Sequence, residues 1–277
     1  MPLAPSLLLN DGRSIPQVGL GTWPLKDQEA AAAVAGAIEL GYRHIDTAAK
    51  YGNEKGVGLG VRNSGVSRDE LFVTTKLDGK FQGDDKALAG LEDSLRRLRL
   101  DYVDLLLIHW PLPKLGKFSS TFRTFKKLQD AGKVRSIGVS NFTGGHLETL
   151  INGTGLVPAV NQIEIDPTRP RLAQRAYADD HGIVTQSWSP LGGSGSNLLS
   201  DPVIVDIAEE LGRTPAQIVL RWHVQHGLVP LPKSSNPSRQ ADNLAVFDFA
   251  LTSAQLTALD GLSLGPNAGV DSDRTGH

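Results

Sequence analysis

Short apolar runs alternate along this chain with stretches whose apolar residues recur every three or four positions. The runs VGLG (18–21), RHID (43–46), LFVTTK (71–76), VDLLLIH (103–109), VRSIGVS (134–140), AVNQIEI (159–165), IVTQSWS (183–189) and LVPLPK (228–233) read as strands apolar enough to be buried on both sides. Between them the period is helical. Asp27 can cap DQEAAAAVAGAIEL (27–40), and Gly41 stops it. Residues 53–65 form a glycine-rich helix candidate, and Leu88, Leu91, Leu95 and Leu98 share one face of 84–98. Further helices are predicted over 119–131, 144–152, 171–181, 201–211, 214–226, 237–245 and 252–261.

Eight strands alternating with helices call for a parallel sheet, and eight such units close into a (β/α)8 TIM barrel. Ahead of them, SLLLNDGRSIP (6–16) carries two short extended runs about an Asn-Asp-Gly turn, a β-hairpin placed to close the bottom of the barrel. An open doubly wound sheet is the alternative. It lacks the expected G-x-G-x-x-G after any strand; GVGLGV (56–61) and GGSGSN (192–197) come nearest and miss the spacing. No linker interrupts the rhythm, so residues 1–277 are expected to form one barrel domain. The polar tail 264–277 should be loose or laid over the surface.

Composition narrows the classes. An apolar share of 40% supports a full core, and no run approaches the roughly 18 apolar residues of a membrane span. A net charge of −2 with intermixed signs argues against a nucleic-acid surface. The absence of cysteine excludes disulfides, thiol catalysis and cysteine-ligated zinc. The N-terminus lacks the basic region and apolar core of a signal peptide, so a cytoplasmic protein is expected.

Barrel enzymes keep their chemistry at the C-terminal ends of the strands. Those ends carry Thr22 and Trp23, Asp46, Lys76, His109 with Trp110, Ser140 with Asn141, Gln162, Trp188, and Lys233 with Ser234. Each has a plainer reading alone. Asp46 with Lys76 suits a buried structural ion pair, Tyr51 a packed tyrosine, and His109 a core histidine. Their convergence on one mouth favours chemistry.

The motifs GYRHIDTAAKYGNE (41–54), LFVTTK (71–76), DYVDLLLIHWP (101–111), RSIGVSNF (135–142), VNQIE (160–164), WSPLG (188–192) and LPKSSNPSRQADN (231–243) resemble those of the aldo-keto reductases, most of all the bacterial 2,5-diketo-D-gluconate reductase branch. The resemblance implies NADPH-dependent reduction of small carbonyls by a monomer, with Asp46, Tyr51, Lys76 and His109 as the catalytic tetrad. It further implies that NADPH lies extended across the mouth. Ser140, Asn141 and Gln162 match contacts to the carboxamide, and Trp188 the ring stacked on the nicotinamide. Lys233, Ser234 and Arg239 match the 2′-phosphate pocket, and Asp242 and Asn243 the adenine side. Thr22, Trp23, Ser189 and Leu191 complete the expected cofactor set. No metal is implied.

The chemistry fits these residue types. A free tyrosine, with a pKa of about 10, is too weak an acid for reversible work near neutrality. A lysine ammonium near 4 Å favours the phenolate by up to ~4 kcal/mol at an effective dielectric of 20, or roughly three pKa units. Asp46 would keep Lys76 charged, and His109 would hold the carbonyl oxygen. Two rivals stay open: a lyase in which Lys76 forms a Schiff base, and an NADP(H)-binding sensor or structural protein with slow turnover. Three departures from the family bear on substrate: Lys50, Asp78 and Asp166. Lys50 and Asp78 are expected to face each other across the pocket lip, with Trp23 and Trp110 as its apolar walls. The tail after Gly265 is expected to add little to specificity. His223 and His226, three apart on a helix, suit metal ligation by spacing, but without a third ligand they read as a surface pair.

Overall fold

A computed structural model describes residues 3–276. The chain opens with an antiparallel pair, β1 (Ser6–Leu8) and β2 (Ser14–Pro16), with Leu7 opposite Ile15. Eight parallel strands follow: β3 (Leu20–Gly21), β4 (His44–Asp46), β5 (Phe72–Leu77), β6 (Val103–Ile108), β7 (Val134–Ser140), β8 (Val160–Glu164), β9 (Val184–Trp188) and β10 (Val229–Pro230), neighbours in space as in sequence. Around them lie α1 (Asp27–Leu40), α2 (Glu54–Asn63), α3 (Asp84–Leu98), α4 (Phe118–Asp130), α5 (Gly144–Thr154), α6 (Leu172–Asp180), α7 (Pro202–Leu211), α8 (Pro215–Gln225), α9 (Pro237–Leu244) and α10 (Ser253–Asp260). The expected (β/α)8 barrel is the observed one.

The barrel closes between its first and last strands. Gly19 and Gly21 donate their N–H groups to the carbonyls of Pro230 and Pro232, each at 3.1 Å. Both glycines are required by this seam: a Cβ on Gly19 would lie 2.6 Å from His44 Nδ1, and one on Gly21 2.7 Å from the Leu231 carbonyl oxygen. β10 is shorter than the 228–233 expected, because Pro230 and Pro232 have no N–H to continue a ladder. The hairpin plugs the other end. Leu9 and Ile15 pack against Phe72, Val160 and Val229, the first residues of their strands, beneath Leu105 and Leu107.

Two local expectations change. Asp27 does not cap α1; it is the first helical residue, and its Oδ1 accepts from Gly56 N–H at 2.9 Å, tying α1 to α2. His223 is fully buried, with Nε2 3.2 Å from the Pro190 carbonyl oxygen, while half-buried His226 meets Asp260. They are not a surface pair, and no cluster of three metal-binding side chains occurs among the described residues. Of the two expected arrangements of the tail, the structure takes the second: it is laid over the surface. Val270 N–H donates to Glu164 (2.9 Å), Arg171 donates to the Val270 carbonyl (3.2 Å), and Asp273 meets His146 (2.9 Å). Gly276 closes on Trp110, where a Cβ would lie 3.1 Å from that side chain. The tail and the β7–α5 and β8–α6 loops enclose a cavity of about 390 Å3 that Asn141, Glu164 and Arg171 line. The tail thus reaches Trp110, one of the expected pocket walls.

The glycines of α2 are packing residues. A Cβ on Gly56 would sit 1.9 Å from the Asp27 carbonyl oxygen, and one on Gly58 1.9 Å from that of Leu98, so α2 is pressed between the backbones of α1 and α3. Helix propensity alone gives Gly58→Ala a gain of about 1 kcal/mol. The backbone clash reverses the sign, and we expect a net loss of about 3 kcal/mol in urea unfolding. A stabilised Gly58→Ala would refute the packing account.

Burial also pushes His44, in the barrel lumen, and His223 down to about 3. Each is held neutral in the folded state and protonates near 6.5 when unfolded. Their contribution is therefore complete above about pH 6.5 and is lost as pH falls towards 3. Between pH 6.5 and 5 each should cost about 2 kcal/mol of stability. Urea unfolding of a His223→Gln variant at the two pH values should show a dependence weaker than wild type by that amount.

Candidate active site

Asp46 ends β4, and the chain then turns through a 3-10 segment, Ala49–Tyr51, before α2. Gly52 reverses direction in the left-handed region at φ +70°, which glycine adopts without strain. Two buried side chains clamp this turn. Asn53 accepts from Thr47 Oγ1 (2.7 Å) and donates to the carbonyls of Thr22 and Leu25 (3.0 Å each). Glu54 accepts from Thr75 Oγ1 (2.7 Å) and from Arg97 Nε (2.6 Å). The Asn-Glu of the 41–54 motif therefore braces the loop that carries Tyr51. Sequence reasoning had assigned neither residue a role, although both stood in the motif.

Lys76 comes from the neighbouring strand and is 1% exposed. Its Nζ donates to Asp46 Oδ1 at 2.5 Å, to the Thr47 carbonyl at 3.1 Å and to Tyr51 Oη at 3.2 Å. All three ammonium hydrogens are thus used. Asp46 accepts from Gln162 Nε2 at its other oxygen (2.8 Å), and its carbonyl accepts from the fully buried Thr22 hydroxyl (2.9 Å). The Tyr51 ring lies edge-on to His109, with centroids 5.7 Å apart, and 5.2 Å from Trp23 on another side. His109 in turn stacks near Trp110 at 6.5 Å. All four residues of the expected tetrad meet.

Burial pulls the Lys76 pKa down, but the Asp46 carboxylate and the Tyr51 oxygen outweigh it and raise it above the ordinary lysine value. Lys76 is an ammonium. For Tyr51, burial pushes the phenol up more strongly than Lys76 pulls it down, and Asp46 adds to the rise. The expected net lowering of Tyr51 is corrected: in this state the phenol stays protonated. Since Lys76 donates to its oxygen, the phenolic hydrogen is directed elsewhere, and an ammonium stands ready beside any phenolate that proton release would leave.

The groups at the next strand ends form a second network. Ser140 Oγ donates to the Gln162 carbonyl (2.8 Å). Asn141, at φ +65°, donates to the His109 carbonyl (2.9 Å) and to Ser140 Oγ (3.1 Å), and accepts from Trp188 Nε1 (2.9 Å). Asparagine tolerates that left-handed backbone, and here its amide fixes the edge of the Trp188 indole. Ser189, at φ +49°, turns the chain after β9, and Leu191 packs half-buried against the core. At the end of the last strand, Lys233 and Arg239 are exposed beside the N-terminus of α9, whose Asn236 cap receives Arg239 N–H (3.1 Å). Ser234 is buried with its hydroxyl on the Asn236 carbonyl (3.2 Å), while Asp242 and Asn243 lie further along α9.

The expected Lys50–Asp78 pair does not form. Asp78 is buried, caps the 3-10 turn Gly79–Phe81 by accepting from Lys80 N–H (3.2 Å), and meets Lys80 Nζ at 3.7 Å; Lys50 is exposed. Asp166 is likewise structural. Fully buried, it accepts two bonds from Arg169, at 3.0 and 2.5 Å, and Arg169 also reaches the Gly192 carbonyl (3.2 Å).

Residues 17–264 match the sequence profile of the Aldo/keto reductase family. The chain is 50% identical to the 2,5-diketo-D-gluconic acid reductase B of a Corynebacterium species over 96% of its length and 95% of that protein's. It is 46% identical to the methylglyoxal reductase DkgA of Yersinia pestis over 98% of its length and 97% of that protein's. Among solved structures, a point mutant of Gox0644 in complex with NADPH superposes with a TM-score of 0.94 at 42% identity, covering all of both chains.

Proposed function

The chain belongs to the aldo/keto reductase family, and on that premise we propose that it reduces a small aldehyde, ketone or keto-sugar carbonyl to the alcohol with NADPH, Tyr51 serving as general acid. The observation that carries this reading is the buried Asp46–Lys76 pair with the Tyr51 oxygen 3.2 Å from the ammonium. When bound, the reduced nicotinamide supplies the hydride to the carbonyl carbon. Tyr51 gives its proton to the carbonyl oxygen, and Lys76 stabilises the phenolate that remains until solvent restores the proton. His109, edge-on to the phenol, orients the carbonyl oxygen from the other side.

The residues present suit the cofactor. Lys233 and Arg239 are exposed and have no acidic partner among the described residues, so their charge is available to a 2′-phosphate at the start of α9. Trp188, pinned by Asn141, offers a fixed aromatic ring, and Ser140, Asn141 and Gln162 border it. A Schiff-base lyase is disfavoured, because Lys76 is charged, buried and fully hydrogen-bonded, whereas a nucleophilic amine needs a free lone pair. NADPH consumption with methylglyoxal, a diketo sugar acid, an aromatic aldehyde and a plain ketone tests the reading. Turnover of any of these supports it. Quenching of tryptophan fluorescence by NADPH with no turnover would turn the assignment to a sensor.

Tyr51→Phe should keep NADPH binding and lose about 10²–10⁴ in turnover, the usual worth of a placed acid. Weaker cofactor binding with the chemical step intact would contradict its role. Arg239→Ala should weaken NADPH at least about tenfold while leaving NADH little changed, as expected for a charge-assisted bond to phosphate. Equal weakening of both would place Arg239 away from the 2′-phosphate.

A further inference from the structure

Asp46 has a second oxygen, and its bonding runs deeper into the barrel than the tetrad does. Oδ2 accepts from Gln162 Nε2 at 2.8 Å, and the same amide nitrogen donates its other hydrogen to Gln186 Oε1 at 3.0 Å. Gln162 and Gln186 are register partners on β8 and β9, and Gln186 is fully buried in the lumen. The amide orientations follow from chemistry. An ionised carboxylate only accepts, so Gln162 must turn its nitrogen to Asp46. With that nitrogen also facing Gln186, Gln186 must present its oxygen, because two amide nitrogens cannot bond each other. Both hydrogens of Gln162 are then committed, and only its Oε1 remains for a group arriving from the mouth. The bonds make one path: Gln186, Gln162, Asp46, Lys76, Tyr51.

We propose that Gln186 is a positioning residue for the reaction, acting through Gln162. By taking one amide hydrogen, it sets the Gln162 side chain so that the nitrogen holds Asp46 while the oxygen faces the nicotinamide carboxamide. Cofactor seating and the orientation of the Asp46–Lys76 pair are thereby joined at one side chain. The inference rests on the reductase reading for the carboxamide, and on the hydrogen bonds alone for the rest.

A double-mutant cycle tests it, read by NADPH quenching of tryptophan fluorescence and by kcat. Gln186→Leu keeps the bulk but removes the acceptor, leaving a buried N–H of Gln162 without a partner. We expect NADPH to bind about tenfold more weakly and kcat to fall by a similar factor. In a Gln162→Ala background the same substitution should change either quantity by no more than about twofold. Gln186→Glu, which offers an acceptor oxygen in either protonation state, should return NADPH affinity to within about threefold of wild type. An undiminished effect of Gln186→Leu without Gln162 would overturn the proposal, as would failure of Gln186→Glu to rescue. If the wild-type protein binds NADPH but reduces none of the carbonyls, the reductase reading fails while the binding arm still decides the role of Gln186. A wild-type protein that does not bind NADPH overturns both.

Discussion

The buried ion pair between Asp46 and Lys76 is the constraint on which the site depends. Moving each ion out of water costs several kcal/mol, and the mutual attraction offsets that only when the remaining hydrogen-bonding capacity is also filled. Here it is filled from every side. Lys76 donates to three oxygens, and Asp46 receives the amide of Gln162 as well as the ammonium. The Thr47 carbonyl that takes one of the lysine bonds is itself placed by the Thr47–Asn53 hydrogen bond. The pair therefore fixes the relative positions of β4, β5 and β8 and of the turn that carries Tyr51.

Phenol chemistry follows from that arrangement. Burial makes Tyr51 reluctant to ionise, and Lys76 opposes burial at a single point, the oxygen that would carry the charge. A group in this position holds its proton until an acceptor approaches and is stabilised once the proton has gone. The same low-dielectric surroundings that make the ion pair costly to build make its field strong at 3.2 Å. Lysine serves here as a charge, and its engagement with three acceptors is what removes it from nucleophilic chemistry.

The fold and the meeting of Asp46, Tyr51, Lys76 and His109 were legible in the sequence because both are written in local period and in position along a strand. Apolar runs marked the eight strands, and each tetrad member stood at or just beyond a strand end, where the topology alone brings it to the mouth. What escaped depended on where a side chain turns after its backbone is placed. Asp78 was expected to reach across to Lys50, but a carboxylate one residue before a 3-10 turn finds the turn's own N–H first. Asp27 looked like a cap and instead bonds to α2. His223 sits on a helix whose inward face turns it against the Pro190 carbonyl, from a loop 33 residues away in sequence. Gln186 lay within a strand that read as simply buried; a glutamine in a lumen-facing strand is a signal of buried hydrogen bonding, and here its Oε1 takes the Gln162 hydrogen while its Nε2 is buried without a protein partner.

The same distinction separates the two rims of the mouth. The ion pair and the side chains of Asn53 and Glu54 are buried, and of their bonds only those to Tyr51 and Arg97 are partly open to water. The tail instead lies across the mouth on a few polar contacts near the surface, one of them made by Asp273, whose side chain is 65% exposed. Few buried apolar contacts and water-accessible bonds place a segment at the low end of local stability. The Asp46–Lys76 pair is thus held by buried bonds, and the wall beside Trp110 by a segment whose bonds are open to water. That wall can shift without disturbing Tyr51, because no bond of the Asp46–Lys76–Tyr51 set involves the tail.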